Sequence, residues 1–166
     1  MPNILLTNYY SSELLGFVRP LVPNGFKLIV LDEPGHSEVI RKAPEADYIL
    51  AGGRTRIDSE VLDAAPKLKM IQRSGVGLDS LDVEAIRKRG IPLFVNKGVN
   101  ASSVAEHTIL LILGCLRRIC EINSRTHSGQ WLKHEVGIQC QSLYGKRVGL
   151  IGLGDIGSRV AEILNC

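Results

Sequence analysis

The apolar residues of the first hundred positions gather in short runs that alternate between two spacings. Runs rich in Val, Ile and Leu predict strands that are covered on both faces, and segments with helical spacing between them predict helices. The predicted strands are 4–7, 27–31, 48–51, 68–72 and 93–96, and the predicted helices are 12–18, 37–42, 58–64 and 83–88. This alternation predicts an α/β fold with a doubly wound, flavodoxin-like parallel sheet.

Beyond residue 98 the pattern changes. Residues 101–127 predict one long helix, and its middle, 109–116, is apolar nearly all round, so we expect it to be buried on every side. After a polar stretch, residues 148–151 predict a strand and residues 158–164 a helix. We therefore expect a first domain at 1–98 and, at 99–166, a long helix followed by the first strand–helix unit of a second, incomplete domain.

A glycine pattern joins the last predicted strand to the last predicted helix. Gly152-Leu153-Gly154-Asp155-Ile156-Gly157 has the spacing that allows a tight turn, close approach of backbone to a pyrophosphate, and close helix packing. The phosphates would lie at the helix N-terminus. This pattern predicts a Rossmann-type NAD site, with a merely structural turn as the alternative. NADP stays open, because the acidic residue that binds the ribose is expected ~20 residues further on, beyond Cys166.

A second glycine pair, Gly75 and Gly77, follows the fourth predicted strand at the sheet edge where α/β proteins place their ligands. Successive backbone N–H groups exposed there form a concavity that suits a carboxylate. A plain turn is the alternative. We expect Arg56 and Arg73 to be solvated surface cations, and for Arg54 both a surface position and a ligand contact are open.

Composition and charge limit the classes of ligand and partner that the chain can be expected to bind. With 45% hydrophobic and 22% charged residues the chain is typical of a soluble globular protein, and its net charge of +3 without a basic tract favours a small anionic ligand over nucleic acid. The longest apolar run is too short for the ~20 residues that cross a bilayer. No signal peptide begins the chain, which predicts a cytoplasmic protein with free thiols. The cysteines show no Cys-x-x-Cys spacing, so no metal site is expected.

Five segments, in order and spacing, resemble the D-isomer-specific 2-hydroxyacid dehydrogenase family, in particular its phosphoglycerate dehydrogenase-like members. They are Gly52-Gly53-Arg54-Thr55-Arg56, Gln72-Arg73-Ser74-Gly75-Val76-Gly77-Leu78-Asp79, Asn100-Ala101-Ser102-Ser103-Val104-Ala105-Glu106-His107, Gly129-Gln130-Trp131, and Gly145-Lys146 before the glycine pattern. The resemblance covers the amino-terminal part of such an enzyme. It implies an NAD-dependent oxidoreductase that interconverts a D-2-hydroxy acid and a 2-keto acid by hydride transfer.

The resemblance also assigns roles. It implies that Gly75, Val76 and Gly77 bind the substrate carboxylate and that Val76 also borders the nicotinamide. Further implied contacts are Asn100 to substrate, Val104 to the nicotinamide, and Gly152, Leu153, Gly154, Asp155, Ile156 and Gly157 to the cofactor, with Arg54 a further candidate substrate contact. The family's catalytic Arg, Glu and His would fall downstream of Cys166, so no catalytic residue is expected in this chain. A homodimer through the helix near 102–120 is expected as well.

Two departures from the family bear on ligand binding. Asp155 stands where the family often has Arg, so it puts an anion beside the phosphates and should weaken binding unless it turns to solvent. Gly52-Gly53 replaces the Arg-Ser of phosphoglycerate-type members, which argues against a phosphorylated substrate held at that point. A truncated, inactive module that dimerises or binds a ligand is the alternative function.

Glu106 and His107, neighbours on a helix, point too far apart to form a relay, and His36, His127 and His134 are expected at the surface.

Overall fold

The five strands predicted in the first hundred residues all form. The computed structural model, which describes residues 1–165, pairs them in parallel in the order β2-β1-β3-β4-β5. Their bounds are Asn3–Leu6 (β1), Lys27–Ile29 (β2), Tyr48–Ala51 (β3), Met70–Arg73 (β4) and Leu93–Val95 (β5). The predicted α/β fold with a doubly wound parallel sheet is confirmed.

Four short helices connect these strands. They are α1 (Ser12–Val18), α2 (His36–Lys42), α3 (Ser59–Asp63) and α4 (Val83–Lys88), with 3-10 turns at Arg19–Leu21 and Ala43–Glu45. Aspartates start two of them: Asp58 accepts from the Val61 N–H at 3.3 Å, and Asp82 accepts from the Ala85 N–H at 2.9 Å. Such caps satisfy donors that the first helical turn leaves without a partner.

The core lies on one face of this sheet. Leu5, Ile49 and Ile71 stand side by side in register on β1, β3 and β4, and all three are buried. They belong to one hydrophobic cluster with Val39 of α2 and Ile86 of α4. The helix α1, by contrast, has no buried residue.

The chain divides into two compact units, Met1–Lys97 and Gly98–Cys166. The described helices of the second unit are α5 (Ala101–Leu116), α6 (Ile119–His127), α7 (Lys133–Gly137) and α8 (Asp155–Leu164). Helix α5 packs against α8. The buried hydrophobic residues among those described in this unit are Ala101, Ala105, Val136 and Val160.

The prediction of one long helix over 101–127 is wrong. Helix α5 ends because Arg118 adopts a left-handed conformation, with φ of 51°, and its N–H donates to the Cys115 carbonyl, three residues back, at 3.2 Å. Ile119 then packs back on α5, since a Cβ at Gly114 would lie 3.2 Å from its Cγ2. A hydrophobic contact across a helix end is typical of such a stop. The expected burial all round is also wrong within the single chain, because Leu111 is 57% exposed.

The predicted strand at 148–151 is wrong as well. Residues 146–150 are irregular, and Val148, Leu150 and Ile151 are exposed. A strand needs a neighbour to take its backbone hydrogen bonds, and no β-strand is found among the described residues of this unit.

No helix within residues 1–165 is long and apolar enough to cross a membrane.

Candidate functional site

The carboxyl edge of the sheet gathers the loops that follow β1, β3 and β4. Because β2 lies on one side of β1 and β3 on the other, the strand order reverses between β1 and β3. Open α/β sheets bind ligands in the crevice at such a point. The predicted carboxylate loop, 75–77, and the segment 52–56, which carries the candidate substrate contact Arg54, lie in these loops.

The loop Gly75–Gly77 is anchored through main-chain contacts. The Ser74 N–H donates to the Ala51 carbonyl at 3.0 Å, and the Asn96 N–H donates to the Gly75 carbonyl at 3.1 Å. Within residues 1–165 the N–H groups of Gly75, Val76 and Gly77 donate no main-chain hydrogen bond. Val76 is 52% exposed. The loop thus offers N–H groups that an anion could accept.

One anion of the protein lies near this loop. A Cβ at Gly77 would lie 3.2 Å from Oδ2 of Asp79, a side chain at the surface. Its carboxylate can move, but it repels a bound anion for as long as it stays there. Asp79 therefore belongs to the electrostatic description of the loop.

Arg73 is a residue whose role the sequence analysis missed. Its Nε donates to the Gly77 carbonyl at 2.7 Å and its Nη1 donates to the Ala51 carbonyl at 3.1 Å. The predicted solvated surface position is wrong, because the side chain is partly buried and bonded to main chain at two places. Its position as the last residue of β4, directly before the glycine loop, was the available signal.

The loop after β3 depends on a glycine. A Cβ at Gly52 would lie 2.0 Å from Oδ1 of Asn8, so a side chain there would displace Asn8. The Gly52 N–H also donates to Oγ1 of Thr7 at 3.0 Å. Oδ1 of Asn8 is buried without a hydrogen-bond partner in the described chain. The loops after β1 and β3 are therefore in close contact at the switch point.

Arg54 lines a cleft of about 510 Å³ in the first unit. Its lining residues are Tyr9, Pro34, Gly35, His36, Arg54, Thr55, Arg56 and Asp58. Arg54 and Arg56 are both exposed, and no ion pair involves either of them in the part of the chain that the structure describes. The cleft suits a small anion on charge and size.

His36 and Asp58 form a hydrogen-bonded pair in this cleft, with 3.0 Å between His36 Nε2 and the Asp58 carboxylate. His36 lies at the surface, with 35% of its side chain exposed, and its contact with the N-cap of α3 was not predicted from the sequence. Burial raises the pKa of Asp58, but the His36 hydrogen bond, the Val61 N–H and the charges of His36 and Arg56 outweigh burial and lower that pKa overall. Asp58 is therefore ionised at neutral pH.

The glycine pattern of the second unit forms a tight turn before α8. Gly152 has φ of +91°, which favours glycine, and a Cβ at Gly157 would lie 2.3 Å from the Gly152 carbonyl oxygen. Gly154 is the N-cap of α8. The first N–H groups of a helix have no intrahelical partner. These residues fit the pyrophosphate of a dinucleotide, because the two glycines are sterically required and the N–H groups remain available.

Four further residues were predicted to contact the cofactor or, for Asn100, the substrate. The Asp155 carboxylate lies against Gly98, 3.6 Å from a Cβ built there. Ile156 is 39% exposed. Asn100 is the exposed N-cap of α5 and makes no side-chain capping hydrogen bond, and Val104 is half-buried on the same helix.

No cluster of three or more metal-ligating side chains occurs in the described range 1–165. Cys115, Cys120 and Cys140 are unpaired. The fourth cysteine, Cys166, lies outside the described residues.

Comparison with known proteins decides the family. Residues 4–158 match the model of the D-isomer specific 2-hydroxyacid dehydrogenase catalytic domain. The chain belongs to this family. The family consists of oxidoreductases.

Particular relatives differ in substrate. D-3-phosphoglycerate dehydrogenase of Archaeoglobus fulgidus is 36% identical over 160 residues, which cover 96% of this chain and 29% of that protein. Glyoxylate reductase of Thermofilum pendens is 40% identical over 134 residues, which cover 80% of this chain and 40% of the relative. The structure of NAD-dependent formate dehydrogenase from Staphylococcus aureus in complex with NAD has a TM-score of 0.78 at 27% identity and is matched over 53% of its length by 99% of this chain.

The chain thus spans half or less of the length of the curated relatives named above. Their names include a phosphorylated and an unphosphorylated substrate, so membership alone does not select one.

Proposed function

We propose that this chain supplies the substrate carboxylate loop and the pyrophosphate turn of an NAD-linked enzyme that interconverts a D-2-hydroxy acid and a 2-keto acid. The observation that carries the proposal is the Gly152–Gly157 turn, where any side chain at Gly157 would collide with the Gly152 carbonyl oxygen. A turn without side chains at these glycines allows close approach of a pyrophosphate, whereas an ordinary loop tolerates a Cβ.

The predicted residues divide between substrate and cofactor in this proposal, and Val76 contacts both. The N–H groups of Gly75, Val76 and Gly77 bind the substrate carboxylate, and Asn100 contacts the substrate through its amide. Val76 and Val104 give the nicotinamide an apolar border, and residues 152–157, Asp155 and Ile156 included, hold the pyrophosphate. When bound, NAD supplies the hydride acceptor at C4 of its nicotinamide. NADP remains an alternative cofactor, because the residues that would bind the ribose lie outside this chain's glycine turn.

Arg54 takes the far end of the substrate. It lines the cleft described above beside Arg56, and neither arginine is neutralised by an ion pair within the described residues. Such a cleft favours a 2-hydroxy acid that carries a second anionic group. The general acid and base of the reaction are proposed to lie downstream of Cys166, because the described histidines are either exposed or, for His36, already paired.

A second copy of the chain is the proposed protein partner. Leu110 and Leu111 on α5 are 62% and 57% exposed, and they lie within the segment 102–120 that we expect to form a homodimer. Exposed apolar residues of this size on one helix favour an interface. Sedimentation should show a dimer that Leu111→Glu dissociates.

A turnover assay tests the function. NADH oxidation is measured with glyoxylate, pyruvate, hydroxypyruvate and a phosphorylated 2-keto acid, for this chain and for the longest reading frame that contains it. We expect activity in the longer polypeptide, none in the 166-residue chain, and a higher KM in Gly77→Val because the side chain closes the carboxylate loop. Gly16→Ala, at a position with open space in α1, is the matched control.

Two results would contradict the proposal. Turnover by the 166-residue chain that His107→Ala abolishes would place the catalytic group inside it. Ligand binding without turnover in the longer polypeptide would favour the non-catalytic module instead.

A further inference from the structure

The guanidinium of Arg73 lies between two loops and not in solvent. Its Nε donates to the Gly77 carbonyl at 2.7 Å, and its Nη1 donates to the Ala51 carbonyl at 3.1 Å. Ala51 ends β3, directly beside Arg73 in the register of the sheet. One side chain therefore joins the carboxyl end of one strand to the far end of the glycine loop that follows the next strand.

These contacts fix two peptide planes of the loop. The Gly75 carbonyl is held by the Asn96 N–H at 3.1 Å, and the Gly77 carbonyl is held by Arg73. Because the C=O and N–H of a trans peptide point in opposite directions, the Val76 N–H points away from Asn96 and the Leu78 N–H points away from the guanidinium. The Val76 N–H is thus aimed by the bond to the Gly75 carbonyl, and the Arg73 bond fixes the peptide at which the loop ends.

Arginine suits this task better than another cation. Arg73 forms no salt bridge in the described range 1–165, so its positive charge interacts with main-chain carbonyls instead. A charge-assisted hydrogen bond is stronger than a neutral one, and the planar fork of guanidinium reaches two acceptors at once. Lysine, with one nitrogen, can reach only one of the two carbonyls well.

Gly53 makes room for the clamp. A Cβ at Gly53 would lie 3.1 Å from Nη2 and 3.7 Å from Nη1 of Arg73. At 3.1 Å the guanidinium must shift by a few tenths of an ångström to make room, which disturbs its bonds to the two carbonyls. The glycine at position 53 and the arginine at position 73 therefore form a matched pair.

We propose that Arg73 is a positioning residue, whose bonds to Gly77 and Ala51 hold the Gly75–Gly77 loop in the conformation that receives the substrate carboxylate. This inference rests on the proposed function, which assigns the carboxylate to that loop. Arg73 itself does not touch the reacting atoms.

The test uses the ¹⁵N-labelled 166-residue chain and oxamate, a stable mimic of a 2-keto acid, with the loop amides followed by NMR. Arg73→Gln should raise the oxamate Kd by about tenfold, since loss of a charge-assisted bond and of loop order both oppose binding. The oxamate Kd of Arg73→Lys should lie between those of the unaltered chain and Arg73→Gln. Arg89→Gln is the matched control, because Arg89 also bonds a main-chain carbonyl, that of Ala85 at 3.3 Å, and pairs with Asp63 away from the loop.

Amide hydrogen exchange separates this inference from the proposed function. We expect the amides of residues 75–78 to exchange faster in Arg73→Gln than in Arg89→Gln, whether or not oxamate binds. If oxamate leaves the wild-type loop amides unshifted, the carboxylate assignment fails while faster exchange still supports the clamp. Unchanged exchange and an unchanged Kd in Arg73→Gln overturn the inference.

A second variant covers the case in which Arg73→Gln does not fold. Gly53→Ala crowds Nη2 and leaves Arg73 in place, so it should speed exchange at residues 75–78 and weaken oxamate binding in the same direction. Gly16→Ala, which meets nothing within 4 Å, controls for a general effect of replacing glycine. Equal loop exchange in these two variants would contradict the clamp.

Discussion

Ile71 and Ile151 lie in segments that look alike in the sequence and behave differently in the structure. Ile71, in β4, is fully buried, whereas Ile151 is fully exposed. Strand β4 pairs with β3 on one side and β5 on the other. Residues 146–150 are irregular, and the described part of the second unit contains no strand to pair with them.

The difference teaches that neighbours, more than local propensity, make a parallel strand. Both segments are rich in Val, Ile and Leu, which favour strands. Only the first has partners for its backbone groups and helices to cover its side chains. An apolar run without partners stays exposed, and it then lines a groove of about 840 Å³ with Ile109 of α5 and Ile163 of α8.

The largest expected effect tests this contrast directly. Ile71→Ala should reduce the free energy of unfolding by about 3 to 4 kcal/mol, because it removes buried methyl groups and leaves a cavity in the core. Ile151→Ala should change it by less than about 0.5 kcal/mol, as is usual for surface positions. Urea unfolding followed by circular dichroism measures both. Similar losses in the two variants would show that Ile151 is buried in solution, for instance in a dimer.

The second prediction concerns the turn before α8. Gly157→Ala should weaken NAD binding by about tenfold or more, roughly 1.4 kcal/mol, because its Cβ would lie 2.3 Å from the Gly152 carbonyl oxygen and open the turn. For the unaltered chain we expect a Kd in the millimolar range or weaker. An NMR titration with NAD measures both values.

Gly149→Ala is the control for that turn, since a Cβ there meets nothing within 4 Å. It should leave the Kd unchanged. A Kd for Gly157→Ala equal to that of the control would mean that NAD does not use this turn, and a micromolar Kd in the unaltered chain would mean that the site is more complete than proposed.

The sequence predicted the first unit far better than the second. In the first unit, apolar runs mark the strands and Asp residues mark helix starts, and each strand has a neighbouring strand to pair with. As a result, β3 (Tyr48–Ala51) and α4 (Val83–Lys88) fall at their predicted bounds. In the second, the stop at Arg118 depends on a left-handed residue that carries no glycine signal. The predicted strand at 148–151 depends on partners that periodicity cannot supply.

The candidate site divides in the same way. Glycine spacing identified the loops, because the glycines are needed locally. The contacts that pass between loops were not predictable from spacing, since His36 and Asp58 are 22 residues apart, and so are Arg73 and Ala51. Arg73 looked like any surface arginine until its acceptors, two carbonyl oxygens, were known.

The third prediction uses charge in the first unit. Glu38 is buried and accepts from Arg41 Nε at 2.6 Å and from the Asp32 N–H at 3.0 Å. The Arg41 hydrogen bond, with that of Asp32, lowers the pKa of Glu38 below its ordinary 4.5 despite burial. A lowered folded pKa means that this contribution to stability is present above pH 4.5 and is lost as pH falls through the folded value.

Glu38→Gln should therefore lower the urea midpoint at pH 7, and the difference from the unaltered chain should shrink as the pH falls below 4.5. Glu84→Gln is the control, because Glu84 is exposed and makes only surface pairs with Arg87 and Lys88. Equal midpoints for Glu38→Gln and the unaltered chain at pH 7 would show that the Arg41 bond does not stabilise the folded state.

The smallest expected effect is at the helix junction of the second unit. Arg118 holds φ of 51°, a conformation that costs a residue with a side chain roughly 1 to 2 kcal/mol and glycine far less. Its ion pair with Glu121, a surface i,i+3 pair, offsets about 0.3 to 0.5 kcal/mol of that gain. Glycine also loses more backbone entropy on folding, about 0.5 to 1 kcal/mol, so Arg118→Gly should raise the free energy of unfolding by about 0.5 kcal/mol. Arg117→Gly, at φ of −99°, should lower it, and Arg118→Ala should lower it too, because alanine keeps the strain and loses the ion pair. Thermal unfolding of the three variants decides the matter: a loss in Arg118→Gly as large as in Arg118→Ala would mean that α5 and α6 join without a left-handed residue.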